Sequence, residues 1–263
     1  MAMATHDSGA RWKTFLSEAK EQEITLLLSR QTASPVIDVS FHELTGFDPE
    51  FAEDILISPR LIISSGHKIL SEICRDRGVD LDAMIRLSDL PKDTMRPLRE
   101  IGSRDIDKLR SLDVIVTKMS QLKPRIHLAV FQCETCGETQ QIDQTNESEL
   151  VEPIRCPPDT GCGASIRGTD STRFNLVMNI SRMINNQWLE IQELPENVPS
   201  GAQPSRAQVL LEGDLVNKHL PGQRITANVI PVVRSEIKKN KKTPMFDIIY
   251  HMVSSTHESV PFT

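Results

Sequence analysis

The spacing of apolar positions changes partway along the chain. Residues 11–28 carry Trp12, Phe15, Ala19, Ile24 and Leu27 near helical spacing, which predicts an amphipathic helix. A β-branched run, Val36-Ile37-Asp38-Val39, follows. Residues 51–56 and 59–77 then predict two further helices, the second stopping at Gly78. Beyond residue 80 the period shortens. Residues 113–117 are rich in Val and Ile, 125–131 alternate apolar with polar, and 174–178, 189–192, 207–211, 224–231 and 245–253 read as further strands. Residues 193–204, rich in proline, are too long for a hairpin turn and are therefore a candidate functional loop. Helices first and strands afterwards predict an α+β multidomain chain.

Four of the five cysteines fall between strands as Cys133-x2-Cys136 and Cys156-x5-Cys162, each pair followed by glycine, Gly137 and Gly163. Two thiolates at knuckle spacing let one tight turn present both sulfurs to a metal, and two such turns complete a closed tetrahedral site. A site closed by four sulfurs has no position open to substrate, so the zinc it predicts is structural. Unpaired thiols and two disulfides are the alternatives. The second gap is longer than a common knuckle, so Pro157-Pro158 must loop outward. Cys74, within a helical pattern, reads as a buried thiol acting as a small hydrophobe.

Composition is that of a globular protein, with no apolar run long enough for a membrane span and no signal-peptide centre near the start, which predicts an intracellular chain. The net charge of −6 argues at first against a nucleic-acid partner, but the charges are segregated. Residues 41–60 hold Glu43, Asp48, Glu50, Glu53 and Asp54 against Arg60; residues 232–242 hold Arg234, Lys238, Lys239, Lys241 and Lys242 against Glu236. An oligomer could turn the acidic face outward and the basic segment inward.

Local words in the strand region resemble the N-terminal part of the minichromosome maintenance (MCM) replicative helicases. They are Ser181-x5-Gln187-x3-Ile191-Gln192-Glu193-x-Pro195-Glu196-x2-Pro199-x-Gly201-x2-Pro204, then Asp214-Leu215-Val216 and Pro221-Gly222. Upstream, Ile101-Gly102 and residues 114–124, followed by Phe131-x-Cys133-x2-Cys136-Gly137, are similar to the family's first barrel strands and ribbon entry. The resemblance covers residues 96–255 and favours an archaeal form. It implies an N-terminal helical bundle (1–92) and an oligonucleotide/oligosaccharide-binding (OB) β-barrel in two parts (93–130 and 173–256). A zinc ribbon (131–172) is inserted between them, and a linker begins at 257–263. The family's ATPase module, with ATP and Mg, lies downstream. No G-x-x-x-x-G-K-[ST] loop occurs here, so this chain alone is expected not to hydrolyse ATP.

The same resemblance implies a hexamer or double hexamer that binds single-stranded and double-stranded DNA in a ring channel, in a prokaryotic cytoplasm. Non-specific binding rests on phosphate neutralisation, and with aromatic residues at 4% base stacking cannot dominate. Lys118 and Lys123 match the family's paired basic residues, Arg206 a later arginine, and Glu190 stands where relatives can carry another basic residue. Arg234, Lys238, Lys239, Lys241 and Lys242 resemble the channel hairpin, and Gln192 and Glu193 the loop that touches a neighbouring subunit's ATPase module. The rival reading is a zinc-ribbon scaffold or adaptor that binds protein and not DNA. A zinc hydrolase is disfavoured, because four cysteines leave no water site and no H-E-x-x-H occurs.

Overall fold

A computed structural model describes residues 2–30, 35–144, 149–167, 171–238 and 241–257, leaving aside the side chains of residues 2–6, 235–238 and 241–244. The chain forms two compact units, one of residues 1–121 and 187–263 and one of residues 122–186.

The first unit begins with five helices, α1 (Ala2–Ala19), α2 (Glu21–Arg30), α3 (Phe41–Phe47), α4 (Pro49–Ile57) and α5 (Pro59–Asp76). The single helix expected over residues 11–28 is two, interrupted at Lys20, whose buried ammonium lies 2.8 Å from both Glu23 and Glu43. Helix α3 starts on a capping box, with the Ser40 hydroxyl accepting from His42 N–H and the Glu43 carboxylate from Ser40 N–H. Asp48 caps α4 by accepting from Phe51 N–H at 3.0 Å. Trp12, Phe15 and Phe51 pack edge-on at the centre of this layer, and the Trp12 indole donates to the Ile62 carbonyl at 2.8 Å. Strands β1 (Val36–Ser40) and β2 (Met84–Ser88) pair in parallel beside the helices.

The same unit contains β3 (Arg110–Met119), β8 (Arg206–Glu212), β9 (Arg224–Lys238), β10 (Lys241–His257) and the later residues of β7 (Arg182–Glu193). Their order is β3-β9-β10-β8-β7, and β7 returns to pair with β3. The β8–β10 pairing is parallel, whereas β3–β9, β9–β10 and β3–β7 are antiparallel. A closed barrel with this order has the OB topology. Leu112, Val114, Leu189, Ile191, Val209, Leu211 and Val229 fill its interior. Strand β9 runs well past the expected residue 231, and Lys241 stands opposite Lys238 in the pairing with β10.

Arg86 of β2 is buried against the barrel strands. Its Nε and Nη2 donate to Asp214 at 2.9 and 2.7 Å, Nη2 also to the Glu212 carbonyl at 2.8 Å, and Nη1 to the Val253 carbonyl at 3.1 Å. Leu109, Ile230, Val232, Ile249 and Val253 complete the same seam by joining the apolar cluster of the helices.

The second unit holds β4 (Lys123–Cys133), β5 (Thr139–Asp143), β6 (Phe174–Leu176) and the opening residues of β7. Strand β4 pairs antiparallel with all three. Among the described residues, no helix is long and apolar enough to cross a membrane.

Burial raises the Asp214 carboxyl, but the Arg86 charge and hydrogen bonds from Lys218 and Arg86 outweigh it and hold the group below 3.8. Stability from this pair is therefore present above that value and is lost as pH falls through the lower, folded-state pKa. Arg86→Ala, which strands a buried carboxylate, is expected to cost about 3–5 kcal/mol in urea unfolding at neutral pH, with the deficit shrinking in acid. Arg77→Ala, which removes a half-exposed partner of Glu21, is expected to cost at most about 1 kcal/mol.

Candidate nucleic-acid face and metal centre

Along the last half of β7 the side chains alternate, with Gln187, Leu189, Ile191 and Glu193 buried and Trp188, Glu190 and Gln192 on the other face. There Trp188 packs against the apolar cluster of the helices, and Glu190 and Gln192 are partly exposed. Lys118 of β3 is the register partner of Glu190. Its Nζ lies 3.2 Å from Glu190 Oε2, while Arg206 Nη1, at the start of β8, lies 3.5 Å from Oε1. Arg206 Nε also donates to Gln192 Oε1 at 3.1 Å. Two of the expected DNA-contacting cations thus converge on one acid, with Lys118 71% and Arg206 59% exposed.

Lys123 opens β4 in the other unit and is exposed. Arg234 lies exposed on β9 in register with Asp247. Lys239 falls outside the described residues, as do the side chains of Lys238, Lys241 and Lys242.

The proline-rich loop is fastened at its base. Glu193, expected to reach toward a neighbouring subunit, instead points inward with 2% side-chain exposure. It accepts from Arg99 Nε at 2.8 Å and Nη2 at 2.6 Å, and its backbone N–H donates to the Ser205 carbonyl at 3.0 Å. The Arg99 hydrogen bonds hold its carboxyl below the ordinary 4.5. The exposed part of the loop is residues 195–197 and 199–203, with Glu196 paired to Arg224. The exposed stretch lies within the proline-rich loop that the sequence marks at residues 193–204, whereas no spacing in the sequence marks Arg99.

In the second unit Cys133, Cys136, Cys156 and Cys162 converge, with all four sulfurs within 4.8 Å of one another. Cys133 Sγ lies 3.7 Å from Cys162 Sγ, and Cys136 Sγ lies 3.6 Å from Cys156 Sγ. All four are free thiols. Both following glycines have positive φ, +76° at Gly137 and +69° at Gly163, which turns each pair back on itself. The longer second gap closes where Gly161 N–H donates to the Pro157 carbonyl at 2.9 Å, leaving Pro158 exposed.

The Thr172 hydroxyl lies 3.2 Å from Cys133 Sγ and, with backbone N–H groups, pulls that thiol down to about 6. Burial and the neighbouring thiols push Cys156 up to about 12. Four sulfurs that resist carrying charge together, around a common centre, form a donor set that can hold a metal ion. Cys74 is buried on α5, apart from this cluster in sequence and unit.

A Cβ on Gly161 would lie 2.4 Å from Cys156 Sγ and 3.0 Å from the Pro157 carbonyl. Gly161→Ala is therefore expected to lower metal content per chain well below that of Gly46→Ala, whose added methyl meets nothing within 4 Å. Elemental analysis of the two purified proteins makes the comparison.

A profile of the MCM OB domain family matches residues 97–234. The minichromosome maintenance protein MCM of Saccharolobus solfataricus is 28% identical over 252 residues, covering 90% of this chain and 34% of that protein. The DNA replication licensing factor mcm4-A of Xenopus laevis is 25% identical over 204 residues, 76% of this chain and 22% of that protein. The 1.8 Å crystal structure of the N-terminal domain of an archaeal MCM superposes with a TM-score of 0.82 at 27% identity, covering 97% of this chain and 99% of the other. The chain spans about a third of the length of the first relative and less than a quarter of the second. With the profile covering the OB strands and the fold matching almost end to end, the chain belongs to the MCM OB domain family and is an MCM N-terminal region.

Proposed function

We propose that this chain is the DNA-binding and ring-forming part of a hexameric, ATP-dependent replicative helicase of a prokaryotic, chromosome-associated kind. ATP and Mg are handled by another module of the parent protein. The observation that carries this reading is the outward barrel face on which exposed Lys118 and Arg206 sit side by side around Glu190. Cations converging on one carboxylate suit a phosphodiester backbone, and backbone contacts carry no sequence information, so DNA of any sequence is the proposed ligand.

Lys123, Arg234 and the hairpin lysines Lys238, Lys239, Lys241 and Lys242 extend the same chemistry. In a ring each subunit contributes the same charges, and their fields add where single-stranded or duplex DNA lies along the axis. In this reading the contact with a neighbouring ATPase module is made by the exposed loop residues 195–197 and 199–203. Gln192 and Glu193 act at the loop's base, Gln192 through Arg206 and Glu193 through Arg99.

Zinc fits the four-sulfur centre. An ion about 2.3 Å from each sulfur puts the sulfurs about 3.8 Å apart, close to the 3.6 and 3.7 Å of the two close pairs. Bound there, it would offset part of the charge of the four thiolates and fold the ribbon without chemistry of its own, because no coordination position is left for water.

The test is Lys118→Ala combined with Arg206→Ala. Binding of single-stranded DNA is expected to weaken for all sequences alike, and the slope of log K against log salt to become shallower by about 1 to 2 units. An unchanged slope removes this face from the DNA path, and absence of DNA binding by the wild-type chain at low salt leaves the protein-binding scaffold as the better reading.

A further inference from the structure

The acid at the centre of the basic face has a role of its own. Glu190 offers one carboxylate oxygen to Lys118 and the other to Arg206, at 3.2 and 3.5 Å, much as the two non-bridging oxygens of a phosphodiester would. The Thr117 hydroxyl donates to its carbonyl at 3.0 Å and to Oε1 at 3.2 Å, which fastens it to the strand pair. Its side chain is 25% exposed, far less than either cation. The hydrogen bond from Lys118, supported by the charges of Lys118 and Arg206, overcomes burial and holds the carboxyl below 4.5, so it is anionic at neutral pH.

We infer that Glu190 is an internal counter-anion that occupies the place of a DNA phosphate between Lys118 and Arg206 and thereby limits the affinity of this face for DNA. The inference rests on the DNA-contact reading above. In the free protein the trio carries one net positive charge instead of two. A phosphate must win both cations from a carboxylate already seated between them. The threonine keeps Glu190 on the barrel wall, whereas the exposed lysine and arginine can turn outward to successive phosphates. The face therefore favours a polyanion over a lone phosphate and releases it readily. Arg206 also gives up its bond to Gln192 when it turns, so occupancy by DNA is felt at the base of the proline-rich loop.

The experiment measures fluorescence anisotropy of an oligodeoxythymidylate across a salt series, on the whole chain. Glu190→Gln keeps the shape and removes the charge, and Glu190→Ala serves as a second variant should the first unfold. Both are expected to bind roughly 5–10-fold tighter at about 50 mM salt, with a salt slope steeper by about 0.7, the value for one added contact to a single strand. Asp113→Asn, which removes an exposed charge elsewhere on β3, is expected to change affinity by less than about 2-fold.

Most of the gain should vanish when Glu190→Gln is placed on the Lys118→Ala, Arg206→Ala background, because there is then nothing to compete for. No tightening, an equal gain from Asp113→Asn, or a gain that survives in that background overturns the inference while the DNA-contact reading stands. If the Lys118→Ala, Arg206→Ala protein itself binds like wild type, the reading fails and the inference with it.

Discussion

A buried guanidinium holds the first unit together. Arg86 leaves water only because Asp214 and the Glu212 and Val253 carbonyls receive its donors, and those acceptors come from the end of β8, the turn after it and β10. Such a pair need not add much net stability over an apolar one, but removing either half leaves an uncompensated charge, so it fixes which strands meet. Arg86 tethers the end of β8, and the parallel pairing of Val209 and Leu210 with Tyr250 and His251 fixes its middle. Arg206, at the strand's other end, is thereby set beside β7.

With that register in place, the two-residue period of the strands does the rest. Leu189 and Ile191 go into the barrel, whereas Lys118, Glu190, Gln192 and Arg206 collect on its outside. Glu193 breaks the simple alternation of apolar inside and polar outside. It is a buried carboxylate, tolerated because Arg99 meets it with two hydrogen bonds, and that clasp keeps the two ends of the long loop together.

Features written in local sequence were legible. The cysteine pairs with their glycines announced a converging cluster, and the strand words around Gln187 and Ile191 announced the barrel. Helix α3 was overlooked although Ser40 and Glu43 stand at capping-box spacing. Strand β2 was overlooked because Arg86 interrupts its apolar run, and only the tertiary partner Asp214 explains a charge there. Strand β5, TQQID, has a single apolar residue, Ile142, so no alternation marks it. The Lys118, Glu190 and Arg206 cluster joins three strands distant in sequence. The residues were visible singly, but their neutralisation by one another depends on barrel closure, which periodicity does not encode.

The central claim is that the outward face of β3, β7 and β8 lies against the DNA backbone. Lysine acylation read by mass spectrometry, with and without a saturating oligodeoxythymidylate, tests it on the unmutated protein. Lys118 should be protected by DNA, while exposed Lys13 on α1 and Lys92 in the turn after β2 keep their reactivity. Full reactivity of Lys118 in the bound state would contradict the claim and move the DNA path elsewhere on the molecule.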